Sequence, residues 1–323
     1  MNLKQLGYFV HVADAGSFTR AAALLDIAQP ALSRQVRQLE VQLRQNLLVR
    51  NGRGVALTEA GKRLLEHGRG ILYQVERATE DLAEMRGAPV GHAALGVPPT
   101  VGRVLTAPLV AAFQRRFPKA TLGIVEGLST YLLERLVSGR IDLALVYNPD
   151  ASSQFDAAPL LGEPLYMIGA TGSAETAPRI GAPVSLKELA THRLIMPSRP
   201  HAMRMFVESR AAAIGARIDV AWEIDGIPAI IDLVTRGHGH AVLSMNAIRN
   251  DPARARLLPR PIVKPRLVAT LALATSSQRP LTPLAARIAD LVREIAPAAL
   301  AEPSAGKPAR LIAPGARNGR SGR

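Results

Sequence analysis

The stretch Ser17 to Leu39, SFTRAAALLDIAQPALSRQVRQL, constrains the chain more than any other, because it spells two short helices separated by a tight break. Ser17 is placed to cap a helix from about Phe18 to Leu25 by accepting from a first-turn amide. Phe18, Ala21, Ala22 and Leu25 form its apolar side. Asp26, Ile27 and Ala28 make the break, and Pro30 stands at the start of a second helix, where a missing amide hydrogen costs nothing. In that helix Leu32, Val36, Leu39 and Leu43 recur at i, i+4, i+7 and i+11, a stripe along one face. Gln29, Ser33, Arg34 and Arg37 remain on the other face, and no carboxylate joins them before Glu40. Gln, Ser and Arg carry the donors and acceptors that base edges and phosphates require, and an α-helix fits the major groove of B-form DNA. The alternative is an ordinary antiparallel helix pair with a solvated polar face. The flanking segments favour a DNA-reading pair.

Leu3, Leu6, Val10 and Ala13 predict a helix before the pair, closed by Gly16, so that three helices share one core. After the pair, Leu47 to Val49 and Val55 to Leu57 flank Arg50-Asn51-Gly52-Arg53-Gly54, which predicts two short strands around a Gly-rich turn. Arg50 and Arg53 on this wing would reach the minor groove or phosphates. Thr58 then caps a long helix running to about Arg86. Within it Leu64, Ile71, Val75, Ala78, Leu82 and Met85 keep coiled-coil spacing, which predicts a homodimer paired along this helix. The competing partner for that seam is the chain's own second domain. GAPVG, residues 87–91, is the expected linker.

Beyond the linker, strand and helix patterns alternate, which predicts a parallel sheet flanked by helices in two α/β lobes with a cleft between them. The strands fall at Ala93 to Val97, Thr121 to Val125, Ile141 to Tyr147, Leu165 to Ala170, Leu194 to Met196, Ile218 to Ile224, Ala241 to Ser244 and Leu267 to Thr275; a helix from Pro283 to Ile295 closes the domain. From about Pro297 the chain turns to Ala, Pro, Gly and Arg, the composition of a disordered tail. The 323 residues thus divide into 1–58, 59–90, 91–298 and a basic tail 299–323. Lysine and arginine number 40 against 26 acidic residues, a net charge of +14, yet residues 1–87 hold only +3 of it, so bulk charge implies a polyanionic partner without locating its site.

Helix N-termini at the cleft favour a small organic anion, because free amides and the helix dipole point there. Pro98-Pro99-Thr100 and Leu128-Ser129-Thr130 precede two helices of the first lobe, and Pro197, Ser198 and His201 follow a strand of the second. The competing role for Thr100 and Ser129 is that of plain helix caps. Gly237-His238-Gly239-His240 supplies only two imidazoles and no third ligand nearby, so no metal and no cofactor is expected. The chain has no cysteine, no nucleophile elbow and no phosphate loop, which argues against an enzyme. With no export signal and no apolar run of about 20 residues, the reading is a cytoplasmic protein with no membrane partner.

Three segments, YFVHVADAGSFTRAAALLDIAQPALSRQVRQLE, NGRGVALTEAG and SGRIDLALVY, resemble the LysR-type bacterial transcriptional regulators, and the resemblance covers roughly residues 1 to 298. MNLKQLGYFV, IAQPALSRQV, LSTYLLERLVSGRIDLALVYN and PLYMIG are similar to the family's nitrogen assimilation control type. The resemblance implies a winged helix-turn-helix, a dimerising linker helix and a two-lobed domain like the periplasmic (type 2) solute-binding proteins. It implies homodimers or homotetramers that bend promoter DNA and act on RNA polymerase, with a small molecule in the cleft altering the bend. It places Gln29, Pro30, Ser33, Arg34 and Arg37 at the groove, Thr19, Arg20, Arg50 and Arg53 on backbone or minor groove, and an effector at Pro99, Thr100, Leu128, Ser129, Thr130, Pro197, Ser198 and His201. A solute-binding protein without a DNA role is the alternative; it leaves the first 58 residues unexplained.

Overall fold

A computed structural model describes residues 1–51, 54–84, 91–171 and 180–301 and divides the chain into two compact units, Met1–Gly91 with Ser138–Arg140, and the remainder. The first unit opens with α1 (Leu3–Ala15), whose start is held by a reciprocal Asn2–Gln5 capping pair and whose end turns at Gly16 in the left-handed region. Then come α2 (Phe18–Leu24), α3 (Gln29–Leu43), β1 (Leu48–Asn51), β2 (Gly54–Leu57) and α4 (Glu59–Glu84). Two apolar clusters hold the three helices together. One joins Val12, Ala21, Ala22, Leu32 and Val36; the other joins Phe9, Val10, Leu39 and Leu47. The predicted stripe of α1 needs correction: Leu3 is 47% exposed, and Phe9 and Val12, fully buried, take its place. Starting at Gln29, α3 puts Pro30 in its second position rather than its first, which is harmless because that amide also lacks a helical acceptor.

Strands β1 and β2 pair antiparallel from Leu48 opposite Leu57 to Asn51 opposite Gly54, the expected wing. It is fastened to the helices at Gly54, whose φ of +138° suits only glycine and whose missing side chain leaves room for the Gly16 carbonyl. That same carbonyl accepts from Val55 N–H at 3.0 Å. Thr58 caps α4 as predicted, accepting from Gly61 N–H at 3.0 Å.

The second unit runs β3 (Gly91–Val97), α5 (Pro99–Arg116), β4 (Ala120–Glu126), α6 (Ser129–Val137), β5 (Leu143–Tyr147), β6 (Phe155–Ala170), β7 (Val184–Ser185), α7 (Leu186–Leu189), β8 (Leu194–Met196), α8 (Ala202–Ala212), β9 (Val220–Glu223), α9 (Ile227–Thr235), β10 (His240–Ser244), α10 (Met245–Ile248), β11 (Leu257–Val263), β12 (Val268–Ser276) and α11 (Pro283–Leu300). The strands lie in the order β4-β3-β5-β12-β6-β10-β8-β9, with β11 also beside β6 and β7 beside β11. Every residue of β5 is buried, as an apolar strand covered on both faces must be.

Strand β6 joins two lobes: residues 155–164 pair with β12, and residues 165–170 pair with β10 and β11. The first lobe is β3-α5-β4-α6-β5, and the second repeats the pattern as β8-α8-β9-α9-β10. Between them lies a buried polar knot. Glu163, 3% exposed on β6, accepts from Tyr147 Oη at the end of β5 and from Asn246 Nδ2 on α10. Burial and then the Glu163 carboxylate push the Tyr147 phenol well above its usual range, so it stays protonated and donates.

The expected end of order near Pro297 is corrected by α11, which continues to Leu300. Ala296 and Leu300 are buried, and the carbonyls of Ala299, Leu300 and Ala301 accept from Arg249, Asn246 and Arg249 in turn, which offsets the bond lost at the proline. The segment 302–323 lies outside the described residues.

Replacing Tyr147 by Phe removes one of Glu163's buried donors. The expected cost is about 1–3 kcal/mol, read as a lower denaturant midpoint at unchanged slope. An unchanged midpoint would remove the knot from the account of what joins the lobes.

Candidate nucleic-acid interface and effector site

Helix α3 is fixed in rotation by Leu32, Val36 and Leu39, which are 0–1% exposed. The opposite side therefore faces out. Pro30, Arg34 and Arg37 are exposed there, and Gln29 and Ser33 are half-buried at its edge. Its cap, Ala28, offers no side-chain acceptor, so the first-turn amides carry the positive end of the helix dipole uncancelled. Glu40, the one carboxylate on the helix, turns away from this surface to accept from the amides of Leu47 and Leu48, at 2.8 and 3.1 Å, and so ties the end of α3 to the wing. Thr19 and Arg20 are exposed on α2, whose cap Ser17 accepts from Arg20 N–H at 3.4 Å. The Arg50 side chain and all of Arg53 lie outside the described residues.

On α4, Leu64, Leu65 and Leu72 pack against the cluster around Phe9 and Leu39. Leu64 is thus half-buried in its own unit rather than free in the outward seam, because the start of α4 lies on α1. Ile71 and Val75, each 39% exposed, and exposed Ala78 remain on the outer side. The Leu82 side chain and Met85 lie outside the described residues.

In the second unit the proposed effector residues sit at the carboxyl ends of β3, β4 and β8, where open α/β sheets bind ligands. Thr100 and Ser129 are not plain caps. The Thr100 hydroxyl lies 3.5 Å from Tyr147 Oη, and Ser129, 8% exposed, accepts from Tyr147 N–H at 3.0 Å. Pro99 is half-buried, while Leu128 and Thr130 are exposed. In the second lobe the Pro197 carbonyl accepts from Arg204 at 3.0 Å, and His201 caps α8 by accepting from Met203 N–H at 3.2 Å. Burial lowers the pKa of His201 against the opposing pull of Asp225, which suits that neutral, accepting role.

Sequence reasoning missed Asp225. Its Oδ1 accepts from both Ser198 N–H, at 2.8 Å, and Ser198 Oγ, at 2.5 Å, and the hydroxyl and amide of Ser198 hold this carboxyl below its usual 3.8. It also missed Arg204, which is buried and forked between Glu208 at 2.9 Å and Glu223 at 2.8 Å. The i,i+4 spacing of Arg204 and Glu208 was the available signal. His240 lies in a ring contact with His192, centroids 4.7 Å apart, and burial lowers its pKa. No group of three metal-ligating side chains occurs among the described residues. A cavity of about 570 Å³, lined by Asn148, Asp150, Phe155, Phe206, Arg210 and Thr270 among others, includes none of the proposed effector residues.

Residues 3–62 match the model of the bacterial regulatory helix-turn-helix proteins of the lysR family, and residues 86–297 match the LysR substrate binding domain. The chain belongs to the LysR family. It is a DNA-binding transcriptional regulator with a carboxyl-terminal effector-binding domain. Among relatives of this LysR chain, the nitrogen assimilation regulatory protein nac of Escherichia coli (strain K12) is 32% identical over 296 residues, 91% of this chain and 95% of that protein. The hydrogen peroxide-inducible genes activator of Dickeya chrysanthemi is 30% identical over 91% of this chain and 95% of that protein. The solved structure of CbnR, a LysR family transcriptional regulator, shares the fold with a TM-score of 0.69 at 23% identity, over 91% of this chain and 99% of that one. No helix among the described residues is long and apolar enough to cross a membrane.

The depressed pKa of Asp225 fixes a sign. Its contribution to stability is present above about pH 3.8 and is lost as the pH falls through the lower folded value. The difference in Tm between the natural chain and Asp225→Asn should therefore shrink as the pH is taken below that point. A difference that holds constant, or grows, contradicts the assigned bond.

Proposed function

We propose that α3 enters the major groove of promoter DNA, with Gln29, Ser33 and Arg34 toward base edges and Pro30 and Arg37 along the groove wall. The observation that carries this is a helix pinned by a fully buried stripe, with an opposite face of Gln, Ser and Arg from which its single carboxylate is turned away. Thr19 and Arg20 take phosphates beside it, and Arg50 and Arg53 on the wing take the backbone or the minor groove. Two copies pair through Ile71, Val75 and Ala78, continued by Leu82 and Met85, as a homodimer or as half of a homotetramer. Pairing aims two reading heads at a two-fold symmetric site, and 39% exposure at Ile71 and Val75 leaves apolar surface for a partner helix to cover.

The second unit binds a small-molecule effector at the strand ends, through Pro99, Thr100, Leu128, Ser129, Thr130, Pro197, Ser198 and His201. The regulator acts in the cytoplasm, as an activator that engages RNA polymerase. Likeness to the nac protein supports promoters of nitrogen assimilation as its targets. Peroxide sensing by thiol oxidation is closed to this chain, which has no cysteine.

Arg34→Ala should weaken binding to the specific site by about 1–3 kcal/mol and leave random DNA nearly unchanged, whereas loss of a phosphate contact weakens both alike. Titrations against DNA selected from a random pool and against unselected DNA make the comparison. Equal losses on both would remove Arg34 from the base-reading set.

A further inference from the structure

The two lobes repeat one local arrangement. In each, the chain leaves the first strand, starts a helix, and returns along a neighbouring strand whose end crosses the start of that helix. Gly127 N–H donates to the Val97 carbonyl at 3.1 Å in the first lobe, and Ile224 N–H donates to the Met196 carbonyl at 2.9 Å in the second. A carboxylate stands beside this bond in both lobes, one residue before the donor in the first and one residue after it in the second. In the first lobe it is Glu126, the last residue of β4, which lies against the first turn of α5 in the space left by the absent side chain of Gly102. In the second it is Asp225, two residues past the end of β9, on both donors of Ser198.

We propose that Asp225 is a built-in occupant of the effector position and a determinant of its specificity. The backbone N–H and hydroxyl of Ser198 form the donor pair that a small carboxylate would seek, and the chain's own carboxylate already accepts from both. Arg204, which donates to the Pro197 carbonyl beside Ser198, is likewise taken up by Glu208 and Glu223. A simple anion therefore meets no free donor at Ser198 and meets the negative charge of Asp225 instead. A ligand enters on the second lobe either by offering a donor to Asp225 or by displacing it. The inference rests on reading these strand ends as the effector site.

The test refills the position from solution. In the full chain, Asp225→Ala removes an exposed side chain and leaves Ser198 N–H and Oγ without their acceptor, so that formate can take the place of the missing carboxylate. Thermal unfolding in sodium formate is compared with sodium chloride at equal ionic strength. The expected result is a formate-specific rise in the Tm of Asp225→Ala that is absent from the natural chain and from Asp225→Asn, which keeps an accepting oxygen at Ser198. Formate at about ten times its Kd should raise the folding constant of the alanine variant roughly tenfold. An alanine variant indifferent to formate, or a natural chain that responds equally, overturns the proposal. DNA binding by the alanine variant with and without formate tests the effector reading separately: a formate-specific gain in Tm with no change on DNA keeps Asp225 as occupant and removes the effector role of the site.

Discussion

The stripe Leu32, Val36 and Leu39 on α3 is the constraint on which the reading head depends. With these three side chains in the core, rotating the helix by even a third of a turn would expose Leu to water and bury Arg, a change opposed by both apolar transfer and charge desolvation. The direction of Arg34 and Arg37 is thus set by residues that never touch DNA. Glu40 completes the arrangement, because a carboxylate left on the outer face would repel phosphates, whereas on the amides of Leu47 and Leu48 it positions the wing.

The effector unit follows the same logic of satisfied groups. Ser198, Ser129 and Thr100 all have protein neighbours for their polar atoms, and Arg204 is buried only because two carboxylates and a carbonyl surround it. Glu163 takes one donor from the end of β5 and one from α10, elements of different lobes, so the polar knot at β6 couples any change in the angle between the lobes to the loss of a buried hydrogen bond.

The reading head was legible in the sequence almost residue by residue, since its helices carry strong periodicity and its breaks carry Ser17, Gly16 and Pro30. The strand ends of both lobes were legible for the same reason. What stayed hidden was set by tertiary contact. Strand β6 was foreseen only from Leu165, because Pro159 and Pro164 mask its first half, and β11 was missed because LLPRPIV holds two prolines that a strand beside β6 accommodates. Helix α11 outruns Pro297 because Arg249 and Asn246 supply donors to its last carbonyls from 50 or more residues away. Asp225 escaped notice because its partner Ser198 is 27 residues distant and no local spacing announces the pair. Leu64 fits the heptad by spacing, yet spacing does not tell which of two apolar surfaces a helix offers it.

The central claim is that α3 lies in the major groove. Methylation of guanine N7, an atom that only the major groove exposes, measures it most directly on DNA selected from a random pool. The account predicts that bound protein shields N7 in two symmetric half-sites whose centres lie about one helical turn, or a whole multiple of one, apart. Full occupancy with every guanine N7 still open to the reagent would contradict it.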